Sequence, residues 1–82
     1  MQLEILTPGK SVFSGEVKLI RVPGSNGSFE ILNNHAAIIS TLSKGVVKVE
    51  TESGETIRYQ TTGGVVEVNN NHIVILAESI TE

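Results

Sequence analysis

Leu32-Asn33-Asn34-His35-Ala36-Ala37-Ile38, followed by Leu42-Ser43-Lys44-Gly45, decides how this chain is read. A polar turn with a single histidine separates two apolar segments, and a second turn, closed by Gly45, follows ten residues after that histidine. By itself the stretch predicts a hairpin. Working outward, β-branched segments recur between Gly, Asn and Ser clusters in both directions, which is the signature of strands. Strands are expected near Gln2–Thr7, Ser11–Ser14, Glu16–Pro23, Ser28–Leu32, Ala36–Leu42, Val46–Glu52, Glu55–Thr61, Val65–Asn69 and His72–Ala77. No stretch holds apolar residues at i, i+3, i+4 and i+7 for three turns, so no helix of useful length is expected. The fold class is all-β: a small antiparallel β-sandwich or flattened barrel of about nine to ten short strands.

Alternation assigns the faces. Val47 and Val49 oppose Lys48 and Glu50; Ile57 and Tyr59 oppose Thr56, Arg58 and Gln60; Phe29 and Ile31 oppose Ser28, Glu30 and Leu32. Such strands are half-buried, with one wet face. Ser53-Gly54 fits a two-residue hairpin turn and Asn69-Asn70-Asn71 a similar one. Two strands break the pattern. The apolar set of Glu16–Val22 changes parity between Leu19 and Ile20, and Ile73-Val74-Ile75-Leu76-Ala77 is continuously apolar. Either both faces of these strands are covered, or one face awaits a partner.

The 82 residues form one domain, residues 1–82, with a thin core, since folding at this size buries only about 60% of the unfolded chain's surface. Without cysteine, neither disulfides nor Cys-based metal sites are available. A net charge of −3 with six scattered Lys and Arg argues against a nucleic-acid partner. Met1-Gln2-Leu3-Glu4 is not a signal peptide, and no run approaches the ~20 apolar residues of a membrane span. A soluble, intracellular protein is expected, reaching a membrane only through a protein partner.

Little chemistry is visible. His35 and His72 are the only histidines, and Asp is absent. No Gly-x-Ser-x-Gly elbow supports a hydrolase triad, and no ligand spacing supports zinc. Gly24-Ser25-Asn26-Gly27-Ser28 lacks the Lys of a phosphate loop and leads into a strand rather than a helix. No catalytic residue, metal or cofactor is therefore assigned. His72 reads as a strand-end histidine at the rim of the core, and Gly63-Gly64 as backbone geometry.

Five segments in order carry a resemblance along nearly the whole chain. They are Leu3-Glu4-Ile5-Leu6-Thr7-Pro8; Val12-Phe13-Ser14-Gly15-Glu16-Val17; Gly27-Ser28-Phe29-Glu30-Ile31-Leu32; Asn33-Asn34-His35-Ala36-Ala37-Ile38; and Gly63-Gly64-Val65-Val66-Glu67-Val68 with Val74-Ile75-Leu76-Ala77-Glu78. Together they resemble the N-terminal β-sandwich of the epsilon subunit of F-type ATP synthases, called delta in mitochondria. Ser28 stands where the family usually has an acid, Glu30 where it has Gly, Asn33-Asn34 where it has Pro-Gly, and Ala37 where it has Pro. Asn tolerates the left-handed conformation, so the turn at Asn34 can survive.

The resemblance implies a non-catalytic rotor element of the central stalk. It would bind the gamma subunit and the c-ring and couple ion-driven rotation to ATP synthesis, as a peripheral component at the cytoplasmic face of the bacterial inner membrane. Thr7, His35, Ala36, Ile38 and Leu42 align with the gamma-facing region, and Ser25, Asn26, Gly27, Ser28 and Phe29 with the c-ring contact. The helical hairpin that follows the sandwich in many members, and that binds ATP in some, has no counterpart in these residues. The chain is expected to be a full-length short form that binds no nucleotide. Two other classes stay open: a small-ligand or carbohydrate-binding β-module, and a small β-fold enzyme or accessory domain. Both would show a concave pocket with convergent polar groups.

Overall fold

Nine strands and no helix account for the chain in a computed structural model that describes all residues, Met1–Glu82. They are β1 (Gln2–Thr7), β2 (Lys10–Val22), β3 (Phe29–Leu32), β4 (Ile38–Leu42), β5 (Gly45–Thr51), β6 (Thr56–Thr61), β7 (Gly64–Asn69), β8 (His72–Ala77) and β9 (Ile80–Thr81). The first sheet runs β4-β7-β8-β1 and ends on the N-terminal half of β2. The second takes up the C-terminal half of β2, with β3 on one side and β5-β6-β9 on the other.

β2 is thus the corner of the sandwich. The sequence divides it at Gly15, yet it is one strand of 13 residues. Gly15 stays in the ladder opposite Leu3, while Lys10–Glu16 pairs with β1 and Val17–Val22 with β5 and β3. The parity change is a β-bulge: the register against β5 slips between Val17 and Leu19, which leaves Lys18 unmatched. The extra residue lets Val17, Ile20 and Val22 all point inward. Two-sided burial, the other explanation, does not apply.

All strand pairs are antiparallel except β1 with β8, which is parallel, Leu3 opposite Ile73 and Ile5 opposite Ile75. This pairing departs from the antiparallel expectation. Parallel neighbours need a long crossover, and here β2 to β7 supply it. β9 was not anticipated; Thr81 and Ile80 pair with Gln60 and Thr61 of β6.

The core is aliphatic and drawn evenly from both layers. Leu3, Ile5, Val66, Val68, Ile73 and Ile75 of the first sheet meet Val17, Ile20, Val22, Ile31, Val47 and Val49 of the second, all essentially inaccessible to water. Full burial of such side chains is worth roughly 1.5–3 kcal/mol each. Tyr59 is the one aromatic in the core, and Leu42 and Ala77 close its end.

Turn chemistry follows the sequence closely. Asn70 (φ 50°) and Asn71 (φ 62°) make the two-residue turn between β7 and β8, with Asn69 opposite His72. The β5–β6 turn is longer than the expected two residues. Gly54 N–H donates to Thr51 O (3.0 Å) and Thr51 N–H to Glu55 O (2.8 Å), so three residues form the loop, the last being Gly54 at φ 93°. Asn34 holds φ 64°, as its alignment with a usual Gly requires.

Candidate functional site

The two sets of residues expected to touch partners lie on β4 and the turn before it, at the end of β1, and on the loop after β2. Leu32 O accepts from His35 N–H (3.1 Å), which closes the turn before β4. Asn71 holds that turn from the other hairpin: its Oδ1 accepts from Asn34 N–H (2.8 Å), and its Nδ2 donates to Asn33 Oδ1 (2.7 Å). His35 is half-buried, with Nδ1 2.7 Å from Ala36 O. A carbonyl can only accept, so Nδ1 carries the hydrogen and Nε2 is the nitrogen left for a partner. Ala36 is exposed and Ile38 half-buried.

Thr7 and Leu42 sit at the other end. Ile38 pairs with Val68 and Leu42 with Gly64, four residues apart along β4, or about 13 Å. The gamma-facing set therefore divides into Thr7 with Leu42 and His35 with Ala36 and Ile38. Leu42 is 6% exposed and belongs to the core, so its side chain offers no surface.

The Ser25–Phe29 loop packs against the Leu42 end. Ser25 N–H donates to Thr41 O (3.0 Å), the Ser25 and Thr41 hydroxyls are 2.7 Å apart, and Ser43 N–H donates to Pro23 O (2.7 Å). Ser25, Asn26, Gly27 and Ser28 are exposed, whereas Phe29 is half-buried against the core. Gly24 makes the fold-back possible, since a Cβ there would lie 2.8 Å from the Phe29 ring. Ser28 Oγ accepts from Arg21 Nη2 (3.2 Å).

The most exposed apolar residues of the first sheet were not among the expected contact residues, although the run holding Leu76 was read as a face that could await a partner. Leu76 and Ile39 are 53% and 73% exposed. Register places Leu6, Leu76 and Val65 side by side on the outer face, with Val74 one step along between Glu4 and Glu67. Beside them an open groove of about 750 Å³ is lined by Leu6, Thr7, Pro8, Val65 and Leu76, with Leu42 below. The continuous run Ile73–Ala77 was the available signal. Its inward members are Ile73, Ile75 and Ala77, and its outward ones are Val74 and Leu76. Gly64 forms part of the groove wall; a Cβ there would run into the carbonyl oxygen of Leu76.

The titratable groups do not converge. His72 lies on the outer face rather than at the core rim, its Nε2 2.9 Å from Glu4 Oε1. No group of three or more His, Cys, Asp or Glu could hold a metal ion. Burial, reinforced by Glu82 and Glu55, pushes the Tyr59 hydroxyl above its ordinary value. The arrangement suits docking of an apolar surface better than bond making.

The chain is 38% identical over 78 residues to the ATP synthase epsilon chain of Pelotomaculum thermopropionicum, covering 95% of this chain and 58% of that one. It is 35% identical over 79 residues to that of Chlorobaculum tepidum, covering 96% of this chain and 90% of that one. It thus spans little more than half of some relatives and nearly all of others. A chain in the Euglena gracilis mitochondrial ATP synthase shares the fold at a TM-score of 0.91 and 23% identity, over 96% of this chain and 51% of that chain. One in the Tetrahymena thermophila enzyme does so at 0.82 and 24%, over 100% and 66%. The family described as the β-sandwich domain of the ATP synthase delta/epsilon chain matches residues 1–82. With its whole length accounted for in this way, the chain belongs to that family.

Proposed function

We propose that this domain is a non-catalytic rotor element of the central stalk of an ATP synthase, binding the gamma subunit and the c-ring. The observation that carries the reading is the match of residues 1–82 to the delta/epsilon β-sandwich family, on a fold whose first sheet carries an apolar groove beside Leu6, Val65 and Leu76. The Tetrahymena neighbour is described as central stalk and c-ring, and the Euglena one as OSCP/F1/c-ring, which supports the same partners here. Gamma docks on the groove and along β4, using Thr7, Ala36, Ile38 and the free Nε2 of His35, with Leu42 supporting the groove from beneath. The c-ring takes the exposed loop Ser25-Asn26-Gly27-Ser28, with half-buried Phe29 anchoring it against the core.

The role is mechanical: rotation of the ion-driven ring passes through this domain to gamma and on to ATP synthesis. Held peripherally, the domain works at the cytoplasmic face of the inner membrane. A stiff β-sandwich suits the task, because the loop and the β4 edge are bonded to each other through Ser25 and Thr41 rather than through soft side-chain contacts alone. The groove mixes Leu and Val with Thr7, Thr41, Thr62 and Glu78 but holds no aromatic ring, which does not favour a carbohydrate module.

Calorimetric titration with purified gamma subunit from the same organism tests the reading. A one-to-one complex with the negative heat-capacity change of apolar burial is expected. No binding to gamma, alone or assembled with the c-ring, would confine the likeness to the fold.

A further inference from the structure

The groove on the first sheet has an apolar wall and one acidic residue, Glu78. Register sets Leu6 beside Leu76, and Glu78 stands two residues beyond Leu76, where its N–H donates to Gly63 O (3.0 Å). The segment that receives it is held from within: the hydroxyl of buried Thr61 accepts from Gly63 N–H and donates to Gly63 O, both at 3.1 Å. Gly63 takes φ 143°, and a Cβ there would lie 3.2 Å from Leu42 O and 3.5 Å from Glu78 Oε1. Glycine thus keeps open a point on which a backbone carbonyl and a carboxylate oxygen converge. No Lys, Arg or His lines the groove. The ion pairs of the domain use Glu4, Glu16, Glu30 and Glu50, so Glu78 has no cation of its own.

We infer that Glu78 and Leu42 O receive the ammonium of a lysine on the gamma subunit, whose stem lies along Leu6 and Leu76. The inference rests on the reading of the groove as the face that gamma meets. Two residues of strand cover about 7 Å, a span suited to the four-carbon stem of lysine, which packs on apolar surface while its charged head reaches a polar partner. Two acceptors converging on one point suit a compact ammonium better than the planar fork of arginine. A calcium or magnesium ion is a poor fit, since such ions take about six or more oxygen ligands and no group of three or more His, Cys, Asp or Glu is available. Glu78 is thereby the specificity-determining residue of the groove: it selects an apolar segment that ends in a positive charge.

Two measurements test it, both with Glu78→Gln, a change at an exposed side chain on which the fold does not depend. The first titrates the domain with n-hexylammonium, an alkyl stem with the same head group, and follows the backbone amides by NMR. Saturable shifts at Gly63, Gly64 and Glu78 are expected, weakened about threefold or more by Glu78→Gln. Hexanoate, with the opposite charge, is expected to give none. The second titrates purified gamma subunit calorimetrically into both proteins. The variant is expected to bind about tenfold more weakly, with the difference shrinking at high salt. Equal gamma affinity of the two proteins would overturn the inference and leave the rotor reading standing. No binding of gamma to either would break the rotor reading and the source of the lysine with it. No response to hexylammonium, or an equal response to hexanoate, would overturn the cation site itself.

Discussion

The two outer faces of the sandwich follow the same alternation yet expose different chemistry. On the first sheet, Leu6, Val65, Val74, Leu76 and Ile39 face solvent beside Glu4 and Glu67. On the second, Arg21, Lys48 and Arg58 stand with Glu30 and Glu50, with Leu32 and Val46 at the margins. Behind both lies the same aliphatic core, so what the faces do depends on the residues that folding leaves free. The first face offers area for burial and the second offers charge. The loop at Ser25–Ser28 lies where the two sheets meet at the β2–β4 junction.

The largest effect is expected within β8, where inward and outward residues alternate. Ile75→Ala is expected to destabilise the domain by about 2–5 kcal/mol, a large share of what a domain this small holds in reserve. Leu76→Ala, one residue away but exposed, is expected to stay within about 0.5 kcal/mol. Denaturant titrations of the two variants separate a core strand from a docking strand. A large loss for Leu76→Ala would mean that the outer face is needed for folding.

The groove wall comes next. Gly64→Ala is expected to cost about 3 kcal/mol or more, since the new methyl would run into two backbone groups, the Leu76 carbonyl and the Ala77 Cα, at a φ of 155° that disfavours a side chain. Thermal melts would show it as a lower midpoint with an unchanged β-type circular dichroism spectrum. At the far end of the same sheet, Asn71→Gly keeps the left-handed backbone but removes the bonds to Asn33 and Asn34. A loss of about 1 kcal/mol is expected, along with faster amide exchange at His35, while the amides around Gly64 are unchanged.

The smallest effect concerns the core beneath the charged face. Tyr59 ionises near 10.0 in the unfolded chain and higher in the fold, where burial and then Glu82 and Glu55 oppose the phenolate. The folded state thus keeps its proton longer. The associated stability is whole below pH 10.0 and is lost as pH rises through the folded value. Denaturation midpoints across the alkaline range should fall, and the fall should disappear in Tyr59→Phe.

Most of the strands and both faces were legible from alternation, because a one-sided core imposes a period of two on β5, β6 and β3. β1 and β8 match their expected bounds. What escaped was non-local. The parallel β1–β8 pairing joins the two ends of the chain and leaves no local mark in the sequence. The bulge at Lys18 was visible as a change of parity, but parity alone does not say whether a strand slips or is covered twice. The site was less legible still. Leu42 looked like surface and is core, whereas Leu76 hid inside an apolar run. On the second face, the row of Arg21, Lys48 and Arg58 arises only from register, because the three cations come from three strands.

The chain has no cysteine, so single substitutions Leu76→Cys and Lys48→Cys place one thiol on each face. The most direct measurement is the rate of thiol labelling of each variant with and without gamma subunit. Gamma is expected to shield the thiol at position 76 and to leave that at position 48 reactive. Unshielded labelling at position 76 in a complex that has demonstrably formed would contradict the assignment of the groove as the gamma-docking face.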